Sequence, residues 1–287
     1  LFRSIEQMRA EDRQELGVAR AGEPAAARGT PVPHASFLQR IPGIGRRYRS
    51  FLPVMPLAVR GLDLSRFDLV ISNSHAVAKG IRTRPGQLHL CYCLSPMRYA
   101  WDLREQYLRE AGLGGPVRGP AARALLEVMR RWDAANSRDV DAFLTLSHYI
   151  ADRIARAYDR PSTVIYPPVD TDYFVPGTAR REEFYLAASR FVPYKRMDMI
   201  ARAFASLPDR RLLIVGTGPD DAKVRAAAGP NVEVLGYQPR EVLRDLMQRA
   251  RAFLFAAEED FGIAPVEAQA CGTPVIAFAR GGATETD

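Results

Sequence analysis

The chain alternates short apolar runs with longer segments whose apolar positions recur every three or four residues. The short runs are rich in Val, Ile, Leu and Phe and predict buried strands. The longer segments carry the spacing of amphipathic helices. Strands are predicted at 67–73, 88–93, 142–146, 164–166, 184–188, 211–215, 231–235, 252–256 and 273–278. Helices are predicted at 118–138, with Leu125, Leu126, Met129 and Trp132 on one face, and from Ser147 as N-cap to about 158. Three more follow. One begins after Arg196 and turns Met197, Ile200, Ala201 and Phe204 inward; another spans 241–250; the last spans 264–271, with Pro265 in its first turn and Gly272 as its stop. Strands alternating with helices predict an α/β chain of Rossmann-like, doubly wound parallel sheets.

The ends break the pattern. Residues 1–30 are charged and rich in Ala, Gly and Pro; Phe2, Ile5 and Met8 have the spacing of a short amphipathic helix, and 21–33 reads as loop. A doubly wound domain opens with an apolar strand and a Gly-rich loop, and neither is visible here, so the first strand is expected to be lacking. The last motif ends close to Asp287, and further strands and a closing helix are expected beyond it. Pro167-Pro168, after a strand, forms a stiff turn suited to an interdomain hinge. The expected organisation is an atypical segment 1–33, one domain at 34–172 and a second at 173–287, both incomplete. Between 35 and 56 basic and apolar residues alternate. That stretch reads either as a helix packed on a sheet or as a basic–apolar surface for peripheral membrane contact.

Composition narrows the class. At 47% hydrophobic and 25% charged residues, the 287-residue chain is globular. The net charge is +7, and only three of its forty basic residues are lysines. The arginines are scattered, not gathered into the stripe a nucleic-acid reader needs, so nucleic acid is not an expected partner. The excess suits an anionic substrate or an acidic membrane surface. The cysteines, Cys91, Cys93 and Cys271, lack framework spacing, which points to reduced thiols and a cytoplasmic setting. Cys91 and Cys93 share a strand face without further ligands nearby, so buried thiols are expected and no metal site. No apolar run reaches transmembrane length.

The candidate chemistry sits at strand ends. Glu259 follows the strand 252–256, and Glu267 lies eight positions on, in the next helix. Such carboxylates accept hydrogen bonds from sugar and ribose hydroxyls, while free N–H groups at the helix start meet phosphate. Taken alone, the pair also reads as a solvated loop acid and a helix-surface acid. Phe261-Gly262-Ile263 lets the backbone approach a ligand. Arg190 and Lys195 follow the strand 184–188, and a fork, a point charge and a helix N-terminus together suit a diphosphate. Gly216-Thr217-Gly218 is a weak signal that close packing alone would explain. His75 stands after the strand 67–73, either as a ligand contact or as a solvated residue at a helix cap. Arg98 lies in Leu94–Asp102, which reads as an acceptor-sugar site or as a packed loop with Trp101 in the core.

The stretch from Glu259 to Val275, written Glu-x-Phe-Gly-(x)4-Glu-Ala-x-Ala-x-Gly-x-Pro-Val, resembles the E-x7-E signature of retaining GT-B glycosyltransferases of the family-4 type. Arg190 and Lys195 match the Arg-x4-Lys motif of that family. The resemblance covers about 34–287 and implies two Rossmann-like domains facing a cleft. It implies transfer of a hexosyl group, with retention, from a nucleotide-diphosphate sugar to a glycan or lipid-linked acceptor. Arg190 and Lys195 would hold the diphosphate, Glu267 the ribose and Glu259 the donor sugar. Gly262 and Ile263 would contact sugar or phosphate, and Gly216 and Tyr237 would lie near the base. It implies no metal and no cofactor beyond the donor. Residues 74–80 and 91–102 are similar to the branch of bacterial polysaccharide mannosyltransferases that use GDP-mannose. That branch carries histidine after the second cysteine, where this chain has Leu94, which can neither hydrogen-bond a hydroxyl nor carry a proton. Either a neighbour such as Ser95 substitutes, or the chain is slow or inactive. The alternative function is therefore a catalytically silent remnant that binds nucleotide sugar or a partner glycosyltransferase.

Overall fold

The structure, a computed structural model, describes residues 36–44, 51–110, 112, 113, 115, 116, 118–178 and 180–286. The helix expected around Phe2, Ile5 and Met8, and the basic residues of 45–50, lie outside the described residues. Of the stretch 35–56, Phe37–Arg40 forms a single 3-10 turn that buries Leu38. Helix α1 (Met55–Arg60) buries Pro56 and Ala58.

Strands β1 (Leu69–Ser74), β2 (Leu88–Cys93), β3 (Ala142–Thr145) and β4 (Ser162–Val164) form one sheet in that order. β1 and β2 are parallel, with Leu69 opposite Leu88 and Ser74 opposite Cys93. Along β1 burial alternates: Val70, Ser72 and Ser74 are covered, while Leu69 and Ile71 are exposed. The covered face meets a polar interior. Lys79 pairs with Asp133 of helix α3 (Arg118–Asn136), and Asp133 also accepts from the Trp101 indole at 2.8 Å. Two charges this deep persist because each satisfies the other. Helix α2 (Arg104–Glu110) had no periodic signal in the sequence.

Helix α4 (His148–Tyr158) starts where Ser147 predicts. The Ser147 hydroxyl accepts from the Ile150 N–H, and the helix ends at Asp159 in the left-handed region. The chain divides into two compact units, Leu1–Phe143 and Leu144–Asp287. The division falls inside β3, ahead of the boundary expected near 172, because the start of α4 bonds to residues far along the chain. The Ser147 hydroxyl donates to the Asp260 carbonyl, and Glu285 accepts from the N–H groups of His148 and Tyr149. Sheet membership changes later, between β4 and β5.

The second sheet contains β5 (Phe184–Ala188), β6 (Arg211–Val215), β7 (Val232–Gly236), β8 (Ala252–Phe255) and β9 (Val275–Ala277), ordered β7-β6-β5-β8-β9. Every pair is parallel. Both faces are covered, which is why these strands read as continuous apolar runs. On one face, helix α5 (Met197–Ala205) inserts Met197, Ile200, Ala201 and Phe204, and α6 (Asp221–Ala227) adds Val224. On the other, α7 (Arg240–Arg249) brings Leu246 and Met247, and α8 (Ile263–Ala270) brings Ala268. The four α5 residues are those the sequence places inward. Two short runs shift: the strand expected at 164–166 forms at 162–164, and 273–278 narrows to 275–277. Proline explains the second, since Pro274 has no N–H to give a ladder. Helix α6, seven residues long with one buried side chain, was too short for its period to show.

Candidate functional site

In the second sheet the connections run one way from β5, through β6 to β7, and the other way from β8 to β9. β5 and β8 therefore flank the point where strand order reverses, and open α/β sheets bind ligands outside the carboxyl ends of the strands at that point. Lys195 follows β5 and Glu259 follows β8. Their side chains form an ion pair, 14% and 21% exposed respectively. Residues distant in sequence but matched in topology thus meet where a ligand is expected. The Lys195 ammonium also lies 5.6 Å from the Phe255 ring and 5.4 Å from that of Tyr194, which gives the cation a partly desolvated setting.

The loop bearing Glu259 is held by glycines that sequence reasoning passed over. Glu259 bridges to Gly281, and Gly282 donates its N–H to the Glu259 carbonyl at 2.7 Å. A Cβ on Gly281 would stand 2.4 Å from that carbonyl oxygen, and one on Gly282 would stand 2.2 Å from the Asp260 carbonyl oxygen. Their contact with Glu259 depends on a parallel bridge that only the fold brings together.

After Asp260 and the buried Phe261, Gly262 turns with φ 91° and α8 begins at Ile263 without a side-chain cap. Its first N–H groups are the kind of donors an anionic ligand uses. Glu267, one turn into α8, is half-buried, with no hydrogen bond to its carboxylate among the described residues. Burial raises its pKa above the ordinary glutamate value; nearby Arg240 opposes this and Asp170 adds to it. Arg240 was missed by sequence reasoning, although it opens α7 just beyond Tyr237. It pairs with Asp170 at 2.8 Å and lies 4.0 Å from the Tyr173 ring. Glu267 thus sits in a mixed-charge cluster of its own, while Glu259 pairs with Lys195.

Arg190 is exposed after β5, and its side chain makes no ion pair or hydrogen bond among the described residues. Tyr237 is 60% exposed beyond β7. Gly216 has φ 141°, and a Cβ there would stand 1.8 Å from the Ser189 carbonyl oxygen. This is the close-packing reading of Gly216-Thr217-Gly218, for the turn presses against the loop that leads to Arg190.

In the first unit, His75 follows β1 and Arg98 follows β2. Desolvation chiefly holds the His75 pKa below the ordinary imidazole value, and the Arg98 charge acts in the same direction. Trp101 is half-buried, donates to Asp133 and lies 5.1 Å from the Arg130 guanidinium, so it packs into the unit. Ser95, beside Leu94, is buried, and its hydroxyl donates to the Pro96 carbonyl at 2.9 Å. Cys91, Cys93 and Cys271 are buried thiols outside any disulfide among the described residues. Among the described residues no helix is long and apolar enough to cross a membrane.

Comparison with known proteins bears on family and fold. Residues 169–286 match the family described as glycosyl transferases group 1. Over 140 residues the chain is 37% identical to the D-inositol 3-phosphate glycosyltransferase of Mycobacteroides abscessus, covering 42% of this chain and 32% of that protein. Over 178 residues it is 33% identical to the GDP-mannose-dependent monoacylated alpha-(1-6)-phosphatidylinositol monomannoside mannosyltransferase of Corynebacterium glutamicum, covering 52% of this chain and 47% of that protein. The chain thus spans a third to a half of the curated relatives it matches. Among solved structures, the sucrose-phosphate synthase of Thermosynechococcus elongatus superposes with a TM-score of 0.60 at 20% identity, over 91% of this chain and 69% of that one. HepE from Anabaena in complex with UDP gives 0.57 at 16% identity, over 89% and 69%. The chain thus has a fold of the GT-B kind, and its residues 169–286 are similar to the glycosyl transferases of group 1.

Proposed function

We propose that the chain transfers a hexosyl group, mannosyl by preference, from a nucleotide-diphosphate sugar to a glycan or lipid-linked acceptor, with retention at the anomeric carbon. The observation that carries this reading is the Lys195–Glu259 pair at the strand-order reversal between β5 and β8. A diphosphate arriving there meets the Lys195 ammonium, the exposed Arg190 fork and the open start of α8. These groups stabilise charge that develops on the leaving nucleotide, and a donor diphosphate replaces Glu259 as partner of Lys195. Glu259, released from the pair, accepts hydrogen bonds from hydroxyls of the donor sugar. Glu267 has unused acceptor capacity and takes the ribose. Gly216 and Tyr237 border the base, while His75 and Arg98 belong to the first unit and serve the acceptor side. Cations and helix N–H groups do the electrostatic work in this scheme, with no cofactor beyond the donor. The preference for mannosyl from GDP-mannose rests on the Corynebacterium glutamicum relative and on the likeness of residues 74–80 and 91–102 to that branch.

Calorimetric titration of the chain with GDP and with UDP tests the diphosphate assignment. Saturable binding of one or both is expected, weakened at least about tenfold by Lys195→Ala, in line with loss of a charge-assisted bond worth roughly 1.5–3 kcal/mol. Equal affinity in wild type and variant would remove Lys195 from the donor site.

A further inference from the structure

The first unit holds a cavity of about 410 Å³ lined by Arg60, Ile81, Arg82, Thr83, Asn136 and Asp139. Small-molecule sites occupy roughly 300–1,000 Å³, so the volume is that of a ligand site. Its walls come from segments that lead into strands. Arg60 ends α1 ahead of β1, Ile81 to Thr83 precede β2, and Asn136 and Asp139 precede β3. Ligands of open α/β sheets sit at the other, carboxyl ends of the strands, where His75 and Arg98 lie. Within the first unit the cavity therefore lies at the opposite strand ends from His75 and Arg98.

Its charges are not spent internally. Arg60 donates one N–H to the Asn136 side-chain oxygen at 3.1 Å, which leaves most of its guanidinium donors open. Asn136 is buried and fixed, since its amide nitrogen also donates to the Trp132 carbonyl. Neither Arg60, Arg82 nor Asp139 is held in an ion pair among the described residues. Two forks on a concave wall match the oxygens of one phosphate, and the Thr83 hydroxyl supplies another donor. The Asp139 carboxylate repels a polyanion but accepts from hydroxyls. One anionic group and a hydroxyl-bearing body satisfy all four side chains together.

We propose that this cavity is a second ligand site, which takes a small phosphate ester of a polyol: Arg60, Arg82 and Thr83 hold the phosphate, and Asp139 accepts from the hydroxyls. Binding there is independent of the nucleotide site. The test is calorimetric titration of the full chain with glucose 6-phosphate, and separately with inorganic phosphate. Saturable binding of glucose 6-phosphate is expected, weakened at least tenfold in both Arg82→Ala and Asp139→Asn. Of these two variants only Arg82→Ala should weaken inorganic phosphate, and saturating GDP should displace neither ligand. Arg82 and Asp139 are exposed, so both variants keep the wild-type melting temperature; Thr83→Val, with the same expected loss for both ligands, serves where one of them does not. The proposal is overturned by the absence of saturable binding, by affinity that survives both Arg82→Ala and Thr83→Val, by tighter glucose 6-phosphate binding in Asp139→Asn, or by displacement with GDP.

Discussion

Glu267 shows how one side chain can be costly and useful at once. Its carboxylate is half-buried without a hydrogen bond among the described residues, and burial raises its pKa. A carboxyl whose folded pKa lies above its unfolded value favours the fold at low pH, and that contribution is lost as pH rises through the folded pKa. Glu267→Gln should therefore melt higher than wild type at neutral pH and equally well below the ordinary glutamate range. Thermal melts across that window decide the matter; a variant that melts lower at neutral pH would mean that a hidden partner stabilises the charge. The same substitution should raise the donor KM more than it lowers kcat, because the ribose is bound alike before and during transfer. Leu94 is the second residue-scale case. Leucine itself offers no hydrogen bond, so Leu94→His should raise transfer up to about tenfold, the worth of one neutral bond of roughly 0.5–1.5 kcal/mol. A rate in Leu94→His no higher than wild type would show that the position does not face the transferred sugar. The two Glu and the Lys were legible in the sequence because their motif sits beside apolar runs. Their partners were not. Arg240 beside Glu267, and Gly281-Gly282 under Glu259, become neighbours only through parallel pairing of segments far apart in the chain.

At the scale of elements, local rules located the second sheet almost to the residue. β5 and β6 lie where their apolar runs do, because a strand covered on both faces leaves no polar alternation to blur its ends. The Ser147 cap was legible for the same reason: N-capping is a local bond between neighbours. Ser147→Ala should lose that bond and the one to the Asp260 carbonyl, for about 1–2 kcal/mol, read from urea unfolding. Packing between loops left no such mark. Gly216 read as a weak signal, yet its φ of 141° and its contact with the Ser189 carbonyl leave no room for a side chain. Gly216→Ala should cost at least about 1–3 kcal/mol in backbone strain. It should also weaken nucleotide binding, since the loop it presses on carries Arg190. Urea midpoints within error of wild type would mean that the turn relaxes freely. Helices α2 and α6 escaped the sequence because neither is long enough to display a face.

The whole molecule presents two different sheets. The second is sealed on both sides, and its strand order reverses between β5 and β8, where Lys195 and Glu259 meet. The first exposes Leu69, Ile71 and Leu88 on one face and encloses the Lys79–Asp133 pair on the other. Its pattern in sequence was correspondingly harder to read, since buried positions along β1 and β2 include Ser72, His89 and Ser74 rather than a continuous apolar run. The central claim concerns the sealed sheet: its reversal point is a sugar-donor site in which Glu259 handles the sugar. The measurement that tests this most directly is GDP-mannose turnover, as transfer or hydrolysis, compared between wild type and Glu259→Gln. The account predicts measurable release of GDP by wild type and a fall of about 10²–10³ in the variant, the size expected when one transition-state contact is removed. Release that Glu259→Gln leaves intact, or no turnover of any nucleotide sugar by the wild-type chain, would contradict it.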